Sequence, residues 1–291
     1  MIKKFKKKKI SLNLRRFTNE ISNLLKNNVN NSWLESRIIL SHFFDISMVD
    51  MYLFDNIEVD SDKIDLIYQA VNSRLKNKPL EYIVGYKFFR FLKLRVDENV
   101  LIPRNETEEI IDMVKKLFPK AKYFLDIGTG SGAIALSIAK EIENSVVYAT
   151  DISKEALRVA KTNARENDLE DRVHFEINDL FPSDDAKFDV IISNPPYIDL
   201  NNIKLSLISE EIYFEPKIAL FAENKGLYFY EKILSKAKGY LKFNGSCIFE
   251  VGFNQSKDVI EIGNTNGFRC FALTDIFNVE RFVVCTLEMI K

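Results

Sequence analysis

Asp126-Ile-Gly128-Thr-Gly130-Ser-Gly132 is the segment from which the architecture of this chain can be predicted. The apolar run YFLDI leads into it, and the alanine-rich run AIALSIAK follows. Three of the ten glycines in the 291-residue chain lie within five residues there. A backbone so rich in glycine can turn tightly and be approached closely by a ligand, whereas an ordinary strand-to-helix turn rarely needs three glycines. We therefore predict a strand, a ligand-binding loop and a helix, in that order.

Short apolar runs alternate with helical periodicity from residue 103 onwards, which predicts an α/β fold. The predicted strands are residues 123–127, 146–151, 173–178, 188–193 and 246–251. The predicted helices are residues 106–117, 132–143, 154–167 and 227–237. Runs that are apolar on both faces are typical of parallel strands covered by helices, so we expect a mostly parallel, doubly wound sheet. Segments 270–274 and 280–287 have no helix between them and predict an antiparallel pair at one edge.

The part of the chain before residue 103 has a different pattern. Apolar residues recur at helical spacing between residues 12 and 78, as Phe17, Ile21 and Leu25 do, and predict a small all-α domain. Aromatic and β-branched residues dominate the segment that follows and predict a β-hairpin linker. The predicted organisation is a basic tail at 1–11, the helical domain at 12–78, the hairpin linker at 79–102 and the α/β domain at 103–291.

Composition and charge exclude several classes of protein. The chain is 46% hydrophobic and 29% charged, as globular proteins are, and no apolar run reaches the roughly 20 residues of a membrane helix, so we expect no membrane partner. The net charge is −1, but the first 16 residues hold eight basic residues and no acid, which leaves the remainder with a net charge of −9. So acidic a body argues against a broad nucleic-acid-binding surface.

The cysteines and histidines predict neither a disulfide framework nor a metal site. There are three cysteines, an odd number without C-x-x-C spacing, and two histidines. We therefore expect no metal cofactor and a cytoplasmic, reducing location. We also expect a monomer.

The glycine-rich segment by itself leaves the identity of its ligand open. Gly128, Gly130 and Ala133 satisfy the G-x-G-x-x-G/A pattern of dinucleotide-binding loops, and Asp151 follows at the distance of a ribose-binding acid. Asp126, however, would repel a pyrophosphate and suits a ligand that carries cationic groups and no phosphate. S-adenosyl-L-methionine, with its ammonium and sulfonium groups, is such a ligand.

The acids that follow successive predicted strands indicate how that ligand would lie. Asp151 could accept both ribose hydroxyls, while Asp179 and Leu180 stand where the edge and face of adenine would be. Each acid could instead be a helix cap or a turn former, and for Asp179 taken alone that role is at least as plausible. The predicted cofactor-binding residues are Asp126, Gly128, Thr129, Gly130, Ser131, Gly132, Asp151, Asp179, Leu180 and Asn194.

Asn194-Pro195-Pro196-Tyr197 ends the predicted strand 188–193, at the edge where open α/β sheets bind ligands. A planar amide or aryl amine is a poor nucleophile because its lone pair is delocalised. If the Asn194 side-chain oxygen and the Pro195 carbonyl each accept one N–H, the nitrogen is held with its lone pair towards the methyl carbon and its developing charge is stabilised.

This tetrad therefore predicts methyl transfer to a planar NH2 group of adenine, cytosine or a carboxamide. The two prolines fix the loop, and Tyr197 offers an aromatic face to the planar group. The predicted catalytic and substrate-binding residues are Asn194, Pro195, Pro196 and Tyr197.

The motifs together resemble those of the bacterial-type protein-(glutamine-N) methyltransferases, which modify the glutamine of the Gly-Gly-Gln loop in peptide chain release factors. The resemblance covers nearly the whole chain after the lysine run. DIGTGSG is shared with many methyltransferases, and NPPY with amino-group methyltransferases generally. The segments VLIPRNETE at 100–108 and Phe214-Glu215-Pro216 are more specific to this family.

The resemblance implies a helical substrate-recognition domain joined by a hairpin to a Rossmann-like catalytic domain. It implies S-adenosyl-L-methionine as cofactor, S-adenosyl-L-homocysteine as product and release factors as partners. By position, 128–132, Asp151, Leu180 and Asn194 are similar to the family's cofactor contacts, and 194–197 to its glutamine contacts. Asn105 stands where the family usually has proline, and Leu180 where relatives often have an aromatic residue, which implies softer packing against adenine.

Methylation of release factors would modulate translation termination, and three other functions compete with it. An N-methyltransferase acting on an exocyclic amino group of a nucleic-acid base would use the same tetrad. It would need a basic groove, which the net charge of the body disfavours. A dinucleotide-dependent oxidoreductase is disfavoured by Asp126 and the tetrad, and a binding protein that has lost catalysis by the intact motifs. We therefore expect a protein substrate and no direct nucleic-acid substrate.

Overall fold

The computed structural model describes residues 9–199 and 210–287. The chain divides into two compact units, Met1–Gly85 and Tyr86–Lys291. Within the described ranges, no helix is long and apolar enough to cross a membrane. Residues 1–8 of the predicted basic tail lie outside these ranges.

The first unit is mainly helical, as its apolar periodicity predicts. Its helices are α1 (Leu14–Leu25), α2 (Ser32–Phe44), α3 (Asp50–Leu53), α4 (Ser61–Arg74) and α5 (Leu80–Val84). The apolar faces of α1, α2 and α4 bury a common core that includes Ile21, Leu40 and Ile67, all fully buried. An asparagine caps α1, because the Asn13 side chain accepts the backbone N–H of Arg16.

Two features of this unit differ from the sequence prediction. Strand β1 (Lys9–Asn13) pairs antiparallel with β2 (Asn56–Asp60), so residues 9–11 are part of a strand and not of a solvated tail. Residues 82–84 belong to helix α5, although their aromatic and β-branched side chains predict a strand. Pro79 precedes the helix, and Gly85 ends it in a left-handed conformation (φ +78°), and these two residues outweigh the propensities of those between them.

The second unit begins with the predicted hairpin and continues into the predicted α/β sheet. The hairpin consists of β3 (Tyr86–Phe89) and β4 (Leu92–Arg95). The sheet consists of β5 (Tyr123–Ile127), β6 (Val146–Asp151), β7 (Val173–Ile177), β8 (Phe188–Ser193), β9 (Leu241–Glu250), β10 (Phe268–Thr274) and β11 (Glu280–Leu287). Among the described residues its order is β7-β6-β5-β8-β9-β11-β10, with the first five strands parallel and β11 antiparallel to both of its neighbours.

Helices cover both faces of this sheet. They are α6 (Glu109–Leu117), α7 (Ala133–Glu141), α8 (Lys154–Glu166), α9 (Tyr228–Ala237) and α10 (Ser256–Thr265). One apolar cluster contains Phe124, Val190 and Ile248, and a second contains Leu125 and Ile191, so neighbouring strand residues enter different clusters. The strands are apolar on both faces because each face of the sheet packs against helices. The predicted α/β fold class is confirmed.

The pairing of two cysteines differs from the sequence prediction. Cys270 on β10 and Cys285 on β11 are direct neighbours across the antiparallel ladder, with their Cα atoms 4.2 Å apart, and they form a disulfide. Cys247 on β9 is the free, buried third cysteine. An odd number of cysteines means that at least one is unpaired, but it does not exclude a single disulfide. No local pattern in the sequence indicates that these two positions are opposite each other.

Candidate active site

A cleft lies at the carboxyl ends of β5, β6 and β8, beside the glycine-rich loop. Its empty volume, which includes space open to solvent, is about 870 Å³. It brings together predicted cofactor-binding and catalytic residues that are far apart in sequence. Those on its wall are Gly128, Gly130, Asp151, Asp179, Leu180, Asn194, Pro195 and Pro196.

The three glycines of the loop all adopt backbone conformations that favour glycine. Their φ angles are +72° at Gly128, +56° at Gly130 and +85° at Gly132. A Cβ atom on Gly128 or Gly130 would meet nothing within 4 Å, whereas one on Gly132 would lie 3.1 Å from the Leu136 side chain. The first two glycines therefore leave space at the cleft, and the third allows close packing at the start of α7.

Asp151, the last residue of β6, ties the glycine-rich loop to the end of that strand. Its Oδ2 accepts the backbone N–H of Gly130 at 2.9 Å, and its Oδ1 accepts that of Ser153 at 2.9 Å. Burial raises the pKa of its carboxyl group, although these backbone hydrogen bonds act in the opposite direction. The carboxylate thus holds the loop in place and lines the cleft.

Asp126 lies beneath the loop and is 1% exposed. Its Oδ2 accepts the Thr129 hydroxyl at 2.6 Å and the backbone N–H of Ala135 at 3.2 Å. Burial raises the pKa of Asp126 to about 7, despite these two donors. A second, smaller pocket that shares Gly128, Gly130 and Asn194 with the cleft is also lined by Asp126, Thr129 and Ser131.

Asp179 and Leu180 form the wall of the cleft beyond β7. The Asp179 side chain is exposed, and the backbone N–H of this residue donates to Asn178 Oδ1 at 2.9 Å. Leu180 has a positive φ of +76°, an uncommon conformation for a residue with a branched side chain. Its carbonyl accepts the Thr150 hydroxyl at 2.5 Å, which fixes this strained position against β6.

Asn194 follows the last residue of β8, and its side chain has a defined orientation. Its Nδ2 donates to the Thr107 hydroxyl at 3.4 Å. Its Oδ1 and the Pro195 carbonyl accept no hydrogen bond from residues 9–199 or 210–287. Ser193 anchors the loop by donating its hydroxyl to the Ile127 carbonyl at 2.8 Å, so the tetrad begins beside the glycine-rich loop. Two acceptors at this point are thus available to a ligand.

Tyr197 occupies a different environment from the other three tetrad residues, because it is not among the residues that line the cleft. Its hydroxyl lies 3.5 Å from Glu250 Oε1, and its carbonyl accepts the Gln255 side-chain N–H at 3.0 Å. Gly132, similarly, lines neither pocket. Contact between Tyr197 and an acceptor group stays a prediction.

The two segments that are specific to the family in the sequence meet at an ion pair whose carboxylate is buried and whose guanidinium is partly exposed. Glu215, which is 5% exposed, accepts the Arg104 guanidinium at 2.5 Å through Oε1. Its Oε2 accepts the backbone N–H of Ile102 at 3.1 Å. Glu215 therefore holds the segment before α6 against the segment after the tetrad, which explains why both occur in one sequence.

Thr107 and Glu250 are not among the site residues predicted from the sequence, yet they contact each other and the tetrad. Glu250 is the last residue of β9, and its Oε2 accepts the Thr107 hydroxyl at 2.6 Å. An acid at the end of a buried apolar strand is the signal that identified Asp151, and the same signal was available in the run CIFE.

Two families match this chain. The family described as Methyltransferase small domain matches residues 107–216, which include the loop and the tetrad. The family described as PrmC N-terminal domain matches residues 18–85, in the helical unit.

Similar proteins cover most of the chain. A release factor glutamine methyltransferase of Lactococcus lactis is 43% identical over 203 residues, covering 69% of this chain and 74% of the relative. One of Fusobacterium nucleatum is 34% identical over 284 residues, covering 96% and 80%. A bifunctional methyltransferase of Rickettsia bellii is 37% identical over 287 residues, covering 88% of this chain but 51% of the relative. The chain spans about half the length of that bifunctional relative.

Solved structures resemble this fold at low sequence identity. The hMettl16 catalytic domain in complex with MAT2A 3'UTR hairpin 6 has a TM-score of 0.57 at 14% identity, covering 81% of this chain and 87% of that one. A methyltransferase from Pyrococcus furiosus has a TM-score of 0.52 at 19% identity, covering 68% and 90%. At these identities the likeness shows the fold alone.

Proposed function

The chain belongs to the release factor glutamine methyltransferase family, and on that premise we propose that it methylates the side-chain amide nitrogen of the glutamine in the Gly-Gly-Gln loop of peptide chain release factors. The observation that carries the proposal is the orientation of Asn194. Its nitrogen is engaged by Thr107 at 3.4 Å, so its oxygen remains for the N–H of an acceptor at the wall of the cleft.

The residues of the cleft fit S-adenosyl-L-methionine. Gly128 and Gly130 leave open space where a Cβ would project. Two carboxylates, Asp151 on the wall of the cleft and the buried Asp126 in the adjoining smaller pocket, favour a ligand with cationic groups and ribose hydroxyls. Asp151 would bind the ribose, and Asp179 with Leu180 would contact adenine. When bound, this cofactor supplies an electrophilic methyl carbon and leaves as S-adenosyl-L-homocysteine.

The chain itself positions the acceptor amide. The Asn194 oxygen and the Pro195 carbonyl would each accept one N–H of the glutamine side chain, so that its nitrogen cannot rotate and its lone pair faces the methyl carbon. The same two oxygens stabilise the positive charge that develops on the nitrogen. After transfer the nitrogen gives its surplus proton to solvent, and no strong base is needed.

We expect labelled methyl groups to pass from S-adenosyl-L-methionine to a purified release factor when the protein is added. The control is the same release factor with its loop glutamine replaced by alanine, which should stay unlabelled, and the labelled residue should be located by mass spectrometry. Labelling of both factors, or of added DNA or RNA, would contradict the proposal, and labelled nucleic acid would support an amino methyltransferase acting on bases.

We also expect the affinity for S-adenosyl-L-methionine to rise between pH 6 and pH 7.5. The pKa of Asp126 is raised to about 7 by burial, so its carboxylate is protonated at the lower pH and ionised at the higher one, where it attracts the cationic ligand. Above roughly pH 7.7 the ligand's own α-amino group loses its proton, which bounds the useful range. Calorimetry should show this dependence in the wild type and not in Asp126→Asn; equal slopes in both proteins would remove Asp126 from the site.

Release factors act in translation, and we therefore propose that the enzyme is cytoplasmic. We also propose that it acts as a monomer.

A further inference from the structure

We propose that Thr107 and Glu250 are positioning residues that fix which end of the Asn194 amide faces the acceptor. This inference rests on the proposed function for its activity test, but its geometry is independent of any substrate. It concerns a chain of three polar side chains from three separate segments: the turn before α6, the tetrad after β8 and the end of β9.

The chain of hydrogen bonds has only one direction when Glu250 is ionised. A carboxylate can only accept hydrogen bonds, so the Thr107 hydroxyl must donate its single hydrogen to Glu250 Oε2, at 2.6 Å. The Thr107 oxygen can then only accept, and the Asn194 side chain must turn its NH2 group towards it, at 3.4 Å. The Asn194 oxygen is consequently left on the side of the cleft.

Glu250 also contacts the other end of the tetrad. Its Oε1 lies 3.5 Å from the Tyr197 hydroxyl, and its own backbone carbonyl accepts the Tyr230 hydroxyl of α9 at 2.9 Å. Glu250 is 2% exposed and Thr107 is 4% exposed, so water cannot replace either partner easily. The Glu250 carboxylate thus contacts the last residue of the tetrad directly and the first one through Thr107.

Protonation of Glu250 would remove the direction of this chain. A carboxylic acid can donate to Thr107, whose hydroxyl can then donate to the Asn194 oxygen and present the wrong end of the amide to the acceptor. Burial raises the pKa of Glu250 to about 7. Among the charged groups around Glu250, Glu106 raises this pKa, whereas Arg104 and Arg281 lower it. The other titratable groups nearby are Tyr197 and Tyr230. Glu250 is therefore ionised above about pH 7 and protonated below it.

The first test compares Thr107→Val with Thr107→Ser. Valine has the shape of threonine without the hydroxyl, so kcat should fall about 10- to 100-fold, while the Kd for S-adenosyl-L-methionine and the KM for the release factor stay within threefold. Serine keeps the hydroxyl and should restore most of kcat. The matched control is Thr286→Val, which removes a hydroxyl that bonds Ser246 at 3.0 Å on β9, away from the cleft, and should leave kcat unchanged.

The second test needs no acceptor. The side-chain amide NMR signals of Asn194, assigned by their loss in Asn194→Ala, should shift with a midpoint near pH 7 in the wild type and stay constant in Glu250→Gln. At saturating cofactor, kcat of the wild type should rise through the same pH range, and that rise should be absent in Glu250→Gln. Thermal unfolding of every variant separates misfolding from mispositioning.

These measurements distinguish the failure of this inference from the failure of the proposed function. A wild type that leaves the release factor unlabelled contradicts the proposed function, and the NMR titration still tests the hydrogen-bond chain. Labelling by Thr107→Val at the wild-type rate, an Asn194 signal that does not titrate, or the same titration in Glu250→Gln would each overturn the inference.

Discussion

Replacing Asn194 by alanine should reduce kcat for release factor methylation by about a thousandfold or more, with a change of at most threefold in the Kd for S-adenosyl-L-methionine. The side-chain oxygen of Asn194 is an acceptor that matters most when positive charge develops on the amide nitrogen, and loss of one such group costs roughly 10²–10³ in kcat. The glutamine also loses its fixed orientation, which lowers kcat further. Single-turnover labelling gives kcat, and calorimetry gives Kd.

A matched asparagine separates this effect from a general loss of structure. Asn167, at the end of α8, donates its side-chain N–H to the carbonyls of Lys93 and Asn163 and lies outside the cleft. Asn167→Ala should keep both kcat and Kd near the wild-type values. Turnover by Asn194→Ala within tenfold of the wild type would show that the acceptor amide is held by other groups.

The fold was predictable from the sequence wherever one local signal dominates. Gly128, Gly130 and Gly132 all have positive φ, a conformation that glycine adopts far more readily than other residues, so a cluster of three glycines indicates it in the sequence. The parallel strands were predictable because burial on both faces demands continuous apolar runs. Strand β1 escaped prediction because its partner, β2, is more than 40 residues away and both are short and half-polar.

The candidate site was predictable only in part, because the residues that contact the tetrad from behind, Thr107 and Glu250, are brought there by tertiary contacts. Asp151 ends one predicted strand and Asn194 directly follows another, so both could be placed at the sheet edge from the sequence. The contact between Thr107 and Glu250 joins residues separated by more than 140 positions, and no local pattern reports it. Tyr197 illustrates the converse: its place in a motif predicts a role, but the motif does not say which way the ring points.

Asp151→Asn should weaken binding of S-adenosyl-L-methionine by about a hundredfold. In the wild type both carboxylate oxygens accept backbone N–H groups, from Gly130 and Ser153, at 2.9 Å each. Asparagine offers one oxygen and one NH2 group, so one of these backbone donors would face another donor and the loop would move. Hydrogen bonds to a charged group contribute roughly 1.5–3 kcal/mol, and about 1.4 kcal/mol corresponds to a tenfold change in affinity.

The control for this variant is an aspartate in a similar bonding situation at the opposite edge of the sheet. Asp189, near the start of β8, accepts the backbone N–H groups of Lys122 and Tyr123 at 2.9 and 2.8 Å, and Lys242 Nζ at 3.1 Å, all through Oδ2. Asp189→Asn therefore removes a carboxylate charge that is bonded to two backbone N–H groups without touching the cleft, and the Kd of this variant for S-adenosyl-L-methionine should stay within threefold of the wild type. Calorimetry on both variants shows whether Asp151 acts on cofactor binding in particular or on the stability of the sheet in general. If they lose affinity equally, the effect of Asp151 is a general weakening of the sheet; if neither loses affinity, the cofactor binds without this carboxylate.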